Sequence, residues 1–577
     1  MTIIMKRPLL VPLLLLAVSA AAKDVAASRA SSGRPMVVAA AHPLAAGAGM
    51  EILQAGGDAV DAAIAVQAML GLVEPQSSGL GGGAFMLRYD ARTRRIEVYD
   101  GRETAPALAD LRMFLDDSGR PLGRGVAMTS GRATGAPGVI AMLSLAHQEH
   151  GKRPWAGLFA SAAQQAQTGF PVTARIDRFV HSRYPQTATP DVRAYFTKPD
   201  GALVTAGDIL ANPRYAQFVR RLAAEGPSAL YQGEVAESIA RRVAEAPLAG
   251  TLSTADLAAY RPVKRLPVCH KYRIYLLCSA SPPSSGVSLL QLMAMLERTD
   301  IARRSAADPQ AWYQFAEASR IMYSDRDSWI GDPAFSRIPL TGLLDRSYVA
   351  RRVALIGKQA GAVPVPGRPP GSPLPAMDAT QEPGGTSHFV IIDSYGNAVS
   401  MTTTVESVFG NGRMVNGFFL NNQLTDFSFL PVGPNAVAPG KRPRSSMSPV
   451  LILDSNGRLL GAAGSPGGNS ILAYVAKTLV GAIDWRLPMQ QAIDLPNLVA
   501  RGPRFNGEVA RMPEAVVSGL KQRGVVVMPF NGEDSGIQGV LWRNGQWDGG
   551  ADSRRDGVVL VEALQSRPEV SSGAVAK

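Results

Sequence analysis

Residues 386–404 read Thr-Ser-His-Phe-Val-Ile-Ile-Asp, then Ser-Tyr-Gly-Asn, then Ala-Val-Ser-Met-Thr-Thr-Thr, and this stretch decides the fold. Two runs rich in β-branched and apolar residues flank a turn that contains Gly396, which predicts a β-hairpin. Residues 450–463 repeat the pattern around Asn456-Gly457, and helix-like segments follow at 471–482 and 489–494. Strand pairs with helices on both sides predict an α+β protein built of helix and sheet layers.

The N-terminal half begins with two predicted helices, at residues 44–54 and 58–72. The glycine-rich run Ser78-Gly-Leu-Gly-Gly-Gly83 follows them and leads into a strand at 85–89. A dinucleotide-binding loop follows a strand and opens a helix, which is the opposite order. The sequence therefore argues against a nucleotide site here. Between 100 and 350 we expect mixed helix and loop, with a helix at 287–296 after a Pro-Pro-Ser-Ser-Gly turn.

A change of composition precedes the hairpin. Residues 357–382 are rich in Pro, Gly and Ala, which predicts an exposed, mobile segment and a natural place for a chain break. Thr386 is the first residue of the strand that follows. A threonine hydroxyl needs a neighbouring base to act as a nucleophile, and a free α-amino group, with a pKa near 8, can be that base. Cleavage of the Gly385–Thr386 bond would create this arrangement, and Gly385 lets the peptide distort because it has no Cβ. On these residues alone, an ordinary strand threonine remains the alternative.

Other catalytic chemistries lack their motifs. No Gly-x-Ser-x-Gly sequence is present, and the Ser-x-x-Lys match at 518–521 has no Lys-Thr-Gly partner. The six histidines contain no His-Glu-x-x-His, and His147 and His150 lack a third ligand, so we expect no metal site. The net charge of +12 is spread over dispersed Arg and Lys without a nucleic-acid motif, so we expect no nucleic-acid partner.

The N-terminus has the pattern of an export signal. Lys6 and Arg7 precede an apolar run that ends in Ala20-Ala21-Ala22, which predicts a signal peptide over residues 1–22 and a periplasmic or secreted protein. A membrane anchor is the alternative, although the run is shorter than the roughly 20 residues of a span. Cys269 and Cys278 lie in a strand-like segment, so in an exported protein they predict a disulfide across a hairpin, with two free thiols as the alternative.

Long motifs along the chain resemble the γ-glutamyltransferase family of N-terminal-nucleophile hydrolases. The hairpin at 386–404 is similar to the start of the family's small subunit. The other matching segments are spread over nearly the whole mature chain: 41–45, 51–53, 56–63, 73–75, 78–83, 282–286, 325–333, 417–428, 441–449 and 464–469. The resemblance implies a four-layer αββα sandwich built from two intertwined fragments, a large subunit (23–385) and a small subunit (386–577).

The resemblance also implies a reaction. Cleavage at Gly385–Thr386 would expose Thr386, which would attack a γ-glutamyl amide such as glutathione and form a threonyl ester. Water, or the amine of an amino acid or peptide, would then release the γ-glutamyl group. No metal or organic cofactor is implied.

The family's roles pass to matching residues of this chain. Thr386 would be both nucleophile and base, Thr404 would hydrogen-bond it, and the backbone N–H groups of Gly467 and Gly468 would bind the oxyanion. The donor's α-carboxylate would bind Arg102, Ser445 and Ser446. Its α-ammonium would bind Glu406, Gln423 and Asp426.

The sequence departs from better-known members in three places. Glu406 replaces an asparagine, Thr425 replaces an acidic residue, and the connection 429–440 is too short for the lid that covers the site in some relatives. A glutaryl (cephalosporin) acylase of the same family and a non-catalytic exported homologue are the alternative functions. Retention of the ammonium-binding set argues against the first, and the intact catalytic set argues against the second.

Overall fold

The computed structural model describes residues 34–376, 378, 380, 382, 384–530 and 534–562. The predicted signal peptide lies outside them. In the part of the chain that is described, no helix has the length and apolar character needed to cross a membrane.

The predicted hairpin lies at the centre of a seven-stranded antiparallel sheet, the first sheet. Thr404 pairs with Thr386 across the hairpin. Strands from both sides of Gly385 are interleaved in this sheet, since Met36–Ala40 lies between Val558–Glu562 and Thr386–Ile392. In spatial order they are Val558–Glu562, Met36–Ala40, Thr386–Ile392, Ala398–Thr404, Gly83–Asp90, Arg95–Gly101 and Val263–Arg265.

A six-stranded antiparallel sheet, the second sheet, contains the other predicted hairpin. Its strands in spatial order are Gln546–Ala551, Gln538–Arg543, Leu459–Gly464, Val450–Leu453, Tyr275–Ser279 and Val268–Tyr272. Three smaller sheets are separate from the first and second sheets. Two of them are strand pairs, Phe170–Pro171 with Ile209–Leu210 and Met414–Val415 with Phe418–Phe419. The third consists of Leu498–Arg501, Arg504–Gly507 and Met528–Pro529.

Side chains alternate between the two faces of the first sheet, as the period of a strand requires. Val38 and Ala40 lie in one core with the helices Pro43–Gln54, Ala59–Val73, Val139–His150 and Ala160–Thr168. Val37 and Ala39 face a second core that includes the second sheet and the helices Gly286–Glu297, Pro309–Trp329 and Ile471–Leu479. The first sheet is therefore apolar on both faces. The remaining helices are Arg124–Met128, Ala174–Val180, Pro190–Phe196, Pro213–Glu225, Ser228–Tyr231, Gly233–Val243, Thr254–Ala259, Leu340–Leu343, Arg346–Val353, Met489–Asp494 and Glu514–Gln522.

The two N-terminal helices lie within one residue of their predicted bounds. Asp58 begins the second of them with a capping box, since its side chain accepts from the backbone of Val60 and Asp61 and the Asp61 carboxylate accepts from the backbone of Asp58. The glycine run then leads into the strand Gly83–Asp90, as predicted.

The Pro/Gly-rich segment is only partly as predicted. Much of 357–376 is exposed, but Asp378 and Glu382 are 4% and 7% exposed. The expectation of an exposed segment is therefore wrong at its C-terminal end, where carboxylates pair with buried arginines.

The two cysteine sulfurs are bonded in the structure, and Cys269 pairs with Cys278 across adjacent strands of the second sheet. We expect alkylation of the folded protein without reductant to leave both residues unlabelled, and labelling after reduction to add two groups. Mass spectrometry of the alkylated protein is the measurement. Modification of both thiols before reduction would contradict the disulfide.

Candidate active site

A cleft lies at the Thr386 end of the central hairpin. Its walls come from segments that lie far apart in the sequence. The lining residues are Arg102, Glu382, Thr386, Thr404, Glu406, Gln423, Asp426, Ser445, Ser446, Met447, Gly468 and Ile471. The fold thus brings together nearly all of the site residues named from the sequence. Glu382, Met447 and Ile471 were not among them.

The hydroxyl groups of Thr386 and Thr404 lie next to each other in the cleft. Thr386 Oγ1 lies 3.3 Å from Thr404 Oγ1. Thr404 Oγ1 in turn donates to the carbonyl oxygen of Gly385 at 2.6 Å and accepts from the Glu406 backbone N–H at 2.7 Å. The Thr404 hydroxyl therefore contacts both the candidate nucleophile and the carbonyl before it, and a donor at that oxygen makes the carbonyl carbon more open to attack.

Gly385 has no room for a side chain. A Cβ there would lie 2.5 Å from the Ser407 carbonyl carbon and 2.6 Å from the Glu406 carbonyl oxygen. Both are backbone atoms and cannot rotate away. Close approach of two backbones thus requires glycine at this position.

Gly467 and Gly468 form the turn that begins the helix Ile471–Leu479. Their φ angles are +129° and +52°, which favour glycine, and a Cβ on Gly467 would lie 2.6 Å from the Tyr474 ring. Gly468 lines the cleft, and Gly467 is the residue directly before Gly468 in the chain. Backbone N–H groups at a helix start suit an anion.

Arg102 is buried and lies in an ion pair with Asp426. Its Nη2 donates to Asp426 Oδ2 at 2.6 Å and to the Arg444 carbonyl at 2.7 Å, and its Nε donates to the Pro443 carbonyl at 3.1 Å. The residues predicted to bind opposite charges of a donor therefore contact each other directly.

Two carboxyl groups share the next part of the cleft. Burial raises the pKa of Glu406 well above its usual range, and nearby Asp426 raises it further. Burial also raises the pKa of Asp426, and the two carboxyls share a hydrogen bond. Gln423 donates to Asp426 at 2.6 Å, Asn422 donates to Glu406, and Arg124 lies 3.8 Å from Glu406. Burial and the neighbouring carboxyl thus both favour the protonated form of Glu406.

Ser446 binds a carboxylate of the chain itself. Its N–H and Oγ donate to Glu382 Oε2 at 3.0 and 2.6 Å. Arg326 and Arg444 also pair with Glu382. Although burial opposes its ionisation, these two guanidiniums lower the pKa of Glu382 to about 2. Ser445 Oγ accepts from the Met447 backbone instead.

Glu382, Arg326 and Arg444 were not predicted to take part in the site. Arg326 and Arg444 lie inside segments that carry the family resemblance, at 325–333 and 441–449. Their positions inside these matching segments could have identified Arg326 and Arg444 from the sequence. Glu382 gave no such signal, since its local composition favours exposure.

Among the described residues, one group of ionisable side chains outside the cleft has the spacing of metal ligands. Glu97, Glu149 and His150 lie close together, but Lys264 Nζ is 2.9 and 2.7 Å from the two carboxylates and supplies their positive charge. None of the three lines the cleft.

Comparison with known proteins agrees with the resemblance seen in the sequence. A family model described as gamma-glutamyltranspeptidase matches residues 45–562. The chain is 33% identical over 546 residues to a glutathione hydrolase proenzyme of Bacillus subtilis (strain 168), covering 92% of each chain. It is also 33% identical over 542 residues to an acylase ACY 1 proenzyme of Pseudomonas sp. (strain SE83), covering 92% of this chain and 94% of that one.

The solved structure of a cephalosporin acylase from Bacillus halodurans superposes with a TM-score of 0.79 at 25% identity, covering 92% of this chain and 96% of that one. The family match spans most of the chain, and the sequence relatives cover nearly all of it. The chain therefore belongs to the γ-glutamyltranspeptidase family.

Proposed function

We propose that this protein cleaves itself between Gly385 and Thr386 and then transfers γ-glutamyl groups. The observation that carries the proposal is the contact of Thr404 with both the Thr386 hydroxyl and the Gly385 carbonyl. Attack of Thr386 Oγ1 on the Gly385 carbonyl carbon forms an ester as the C–N bond breaks. Water then hydrolyses the ester, which leaves a Gly385 carboxylate and a Thr386 with a free amine.

The freed amine serves as the base of the second reaction. It accepts the hydroxyl proton as Thr386 attacks the γ-carbonyl of a donor, and passes that proton to the departing amine. Gly467 and Gly468 supply N–H groups to the oxyanion. Water or an acceptor amine then releases the γ-glutamyl group from the threonyl ester.

The proposed architecture is a four-layer αββα sandwich of a large subunit (23–385) and a small subunit (386–577). The interleaving of their strands in the first sheet supports it, because hydrogen bonds between the strands would hold the two fragments together after the cut. We further propose export to the periplasm or the medium, since a disulfide is typical of an oxidising compartment.

Glutathione-like γ-glutamyl amides are the proposed donors. Glu406, Gln423 and Asp426 form an acidic cluster suited to an α-ammonium group, and relatives are named glutathione hydrolases. A glutaryl donor has no ammonium group and gains nothing from that cluster. The acylase function, suggested by the names of other relatives, is therefore the second candidate.

The test is intact-mass analysis of the purified protein together with a γ-glutamyl anilide assay. Two fragments, the smaller beginning Thr-Ser-His-Phe, and release of the aniline are expected. A single uncut chain that turns over the donor would contradict the mechanism.

Donor affinity should depend on pH. Because burial and Asp426 raise the pKa of Glu406 and so favour its protonated form, binding of an α-ammonium group should displace a proton. We expect KM for a γ-glutamyl anilide to fall as pH rises, until the donor's own ammonium deprotonates. Glu406→Gln should flatten this dependence, and a glutaryl anilide should not show it. A wild-type KM that does not change with pH would contradict the shared proton.

A further inference from the structure

Among the described residues, the strand that begins at Thr386 has no strand neighbour on one edge at its start. Ala398–Thr404 pairs along its whole length. Met36–Ala40 pairs on the other edge only from Phe389 onward. The backbone of Thr386 therefore needs another partner on that second edge.

Arg555 supplies that partner. Its Nη1 donates to the Thr386 carbonyl at 2.8 Å. Its Nε and Nη2 donate to the carbonyls of Ser535 and Asp534 at 3.2 and 3.0 Å. The side chain is fully buried, and Gly536 makes room for it, since a Cβ there would lie 2.4 Å from the Arg555 side chain. One guanidinium thus ties the candidate nucleophile to the loop 534–536.

The N–H and C=O groups of one residue in an antiparallel strand point to the same edge. Because Arg555 binds the Thr386 carbonyl, the amine that cleavage frees lies on the same edge. The residue is then the first of its fragment, and chain ends fray unless they are tied down.

The charged groups described around Arg555 include two carboxyls and a second guanidinium. Glu74 lies 4.0 Å from Arg555 and 3.4 Å from Arg175, and accepts a hydrogen bond from Ser387. Asp556 interacts with Glu74 from the same turn as Arg555. On the cleft side the charged groups are Arg102, Glu382, Glu406 and Asp426. A nearby guanidinium disfavours protonation of an amine.

We propose that Arg555 is a positioning residue that holds Thr386 in register after cleavage and keeps its amine available as a base. This inference rests on the proposed function. It concerns catalysis by the mature N-terminus rather than donor binding. The effect should therefore fall on kcat and spare KM.

The test compares Arg555→Ala, Arg555→Lys and Arg178→Ala. Arg178 is the matched control, because it is half-exposed and pairs with the Asp534 carboxylate on the same loop at 2.9 Å. We expect both Arg555 variants to lose roughly 10- to 100-fold in kcat with little change in KM, as for lost charged hydrogen bonds. Arg178→Ala should behave as the wild type. Guanidinium ions should restore part of the activity of Arg555→Ala.

A pH profile separates positioning from general loss of structure. Arg555→Ala removes the cation, so the amine pKa should rise and the acidic limb of kcat/KM should move to higher pH. Arg555→Lys keeps the charge, so the limb should stay in place. Arg555→Lys also keeps a long, charged side chain in the buried site, and its melting temperature verifies that it folds. An unchanged kcat in the folded Lys variant would overturn the inference, whereas an uncleaved or inactive wild type would overturn the proposed function instead.

Discussion

Thr386→Ala should leave the purified protein as one uncut chain with no detectable γ-glutamyl transfer. Alanine has no hydroxyl to attack the Gly385 carbonyl, so neither the ester nor the free amine can form. The loss in kcat should be at least about 10⁴-fold, the scale seen when a catalytic nucleophile is removed. Intact-mass analysis reports cleavage, and anilide release reports turnover.

Thr386→Ser is the matched control. It keeps a hydroxyl at the same distance from Thr404, so it should still be cleaved, with the smaller fragment now beginning Ser-Ser-His-Phe. Complete cleavage of Thr386→Ala would place the reactive group elsewhere and remove Thr386 from the mechanism.

The second large effect is expected from a change at Arg102, the residue proposed to bind the α-carboxylate of the donor. Arg102→Ala should lower kcat/KM on the order of 30- to 1000-fold for every donor with an α-carboxylate, which corresponds to about 2 to 4 kcal/mol for a buried charged contact. The structure gives a second reason to expect a large loss, because removal of Arg102 also leaves Asp426 without this ion-pair partner. The Arg102→Ala loss should therefore extend to ammonium recognition.

Glu406→Gln should discriminate between donors. The amide keeps the size of the side chain but removes the charge that a donor ammonium would need. Losses should be large for γ-glutamyl anilides and small for glutaryl anilides, and intact mass should show cleavage at Gly385–Thr386 unchanged. Equal losses on both donors would exclude Glu406 from recognition and favour the acylase function.

The sequence predicted those parts of the fold whose causes are local. The hairpin 386–404 follows from alternating strand residues and a glycine turn, and the helix after Asp58 follows from a capping box formed within three residues. Thr386 was a candidate nucleophile from its position after the Pro/Gly-rich segment. The other cleft residues became predictable only through the family resemblance, since a lone arginine or serine carries no such signal.

The contacts that were missed are all long-range. Glu382 is separated from Arg326 by 56 residues and from Arg444 by 62, and Arg555 from Thr386 by 169. Composition predicted that residues 357–382 are exposed, but two buried guanidiniums outweigh composition at Glu382. Likewise, the Arg102–Asp426 ion pair joins groups that the resemblance assigned to separate ends of a donor.

If the chain is cut at Gly385–Thr386 as proposed, the strand order of the first sheet makes refolding depend on that cut. Before cleavage, Met36–Ala40 and Thr386–Ile392 belong to one molecule, and recovery from denaturant is a first-order process. After cleavage, the same pairing requires two polypeptides to find each other, so recovery becomes second-order and slows on dilution. In the proposed mature protein, loss of the fold would therefore be harder to reverse than in the uncut precursor.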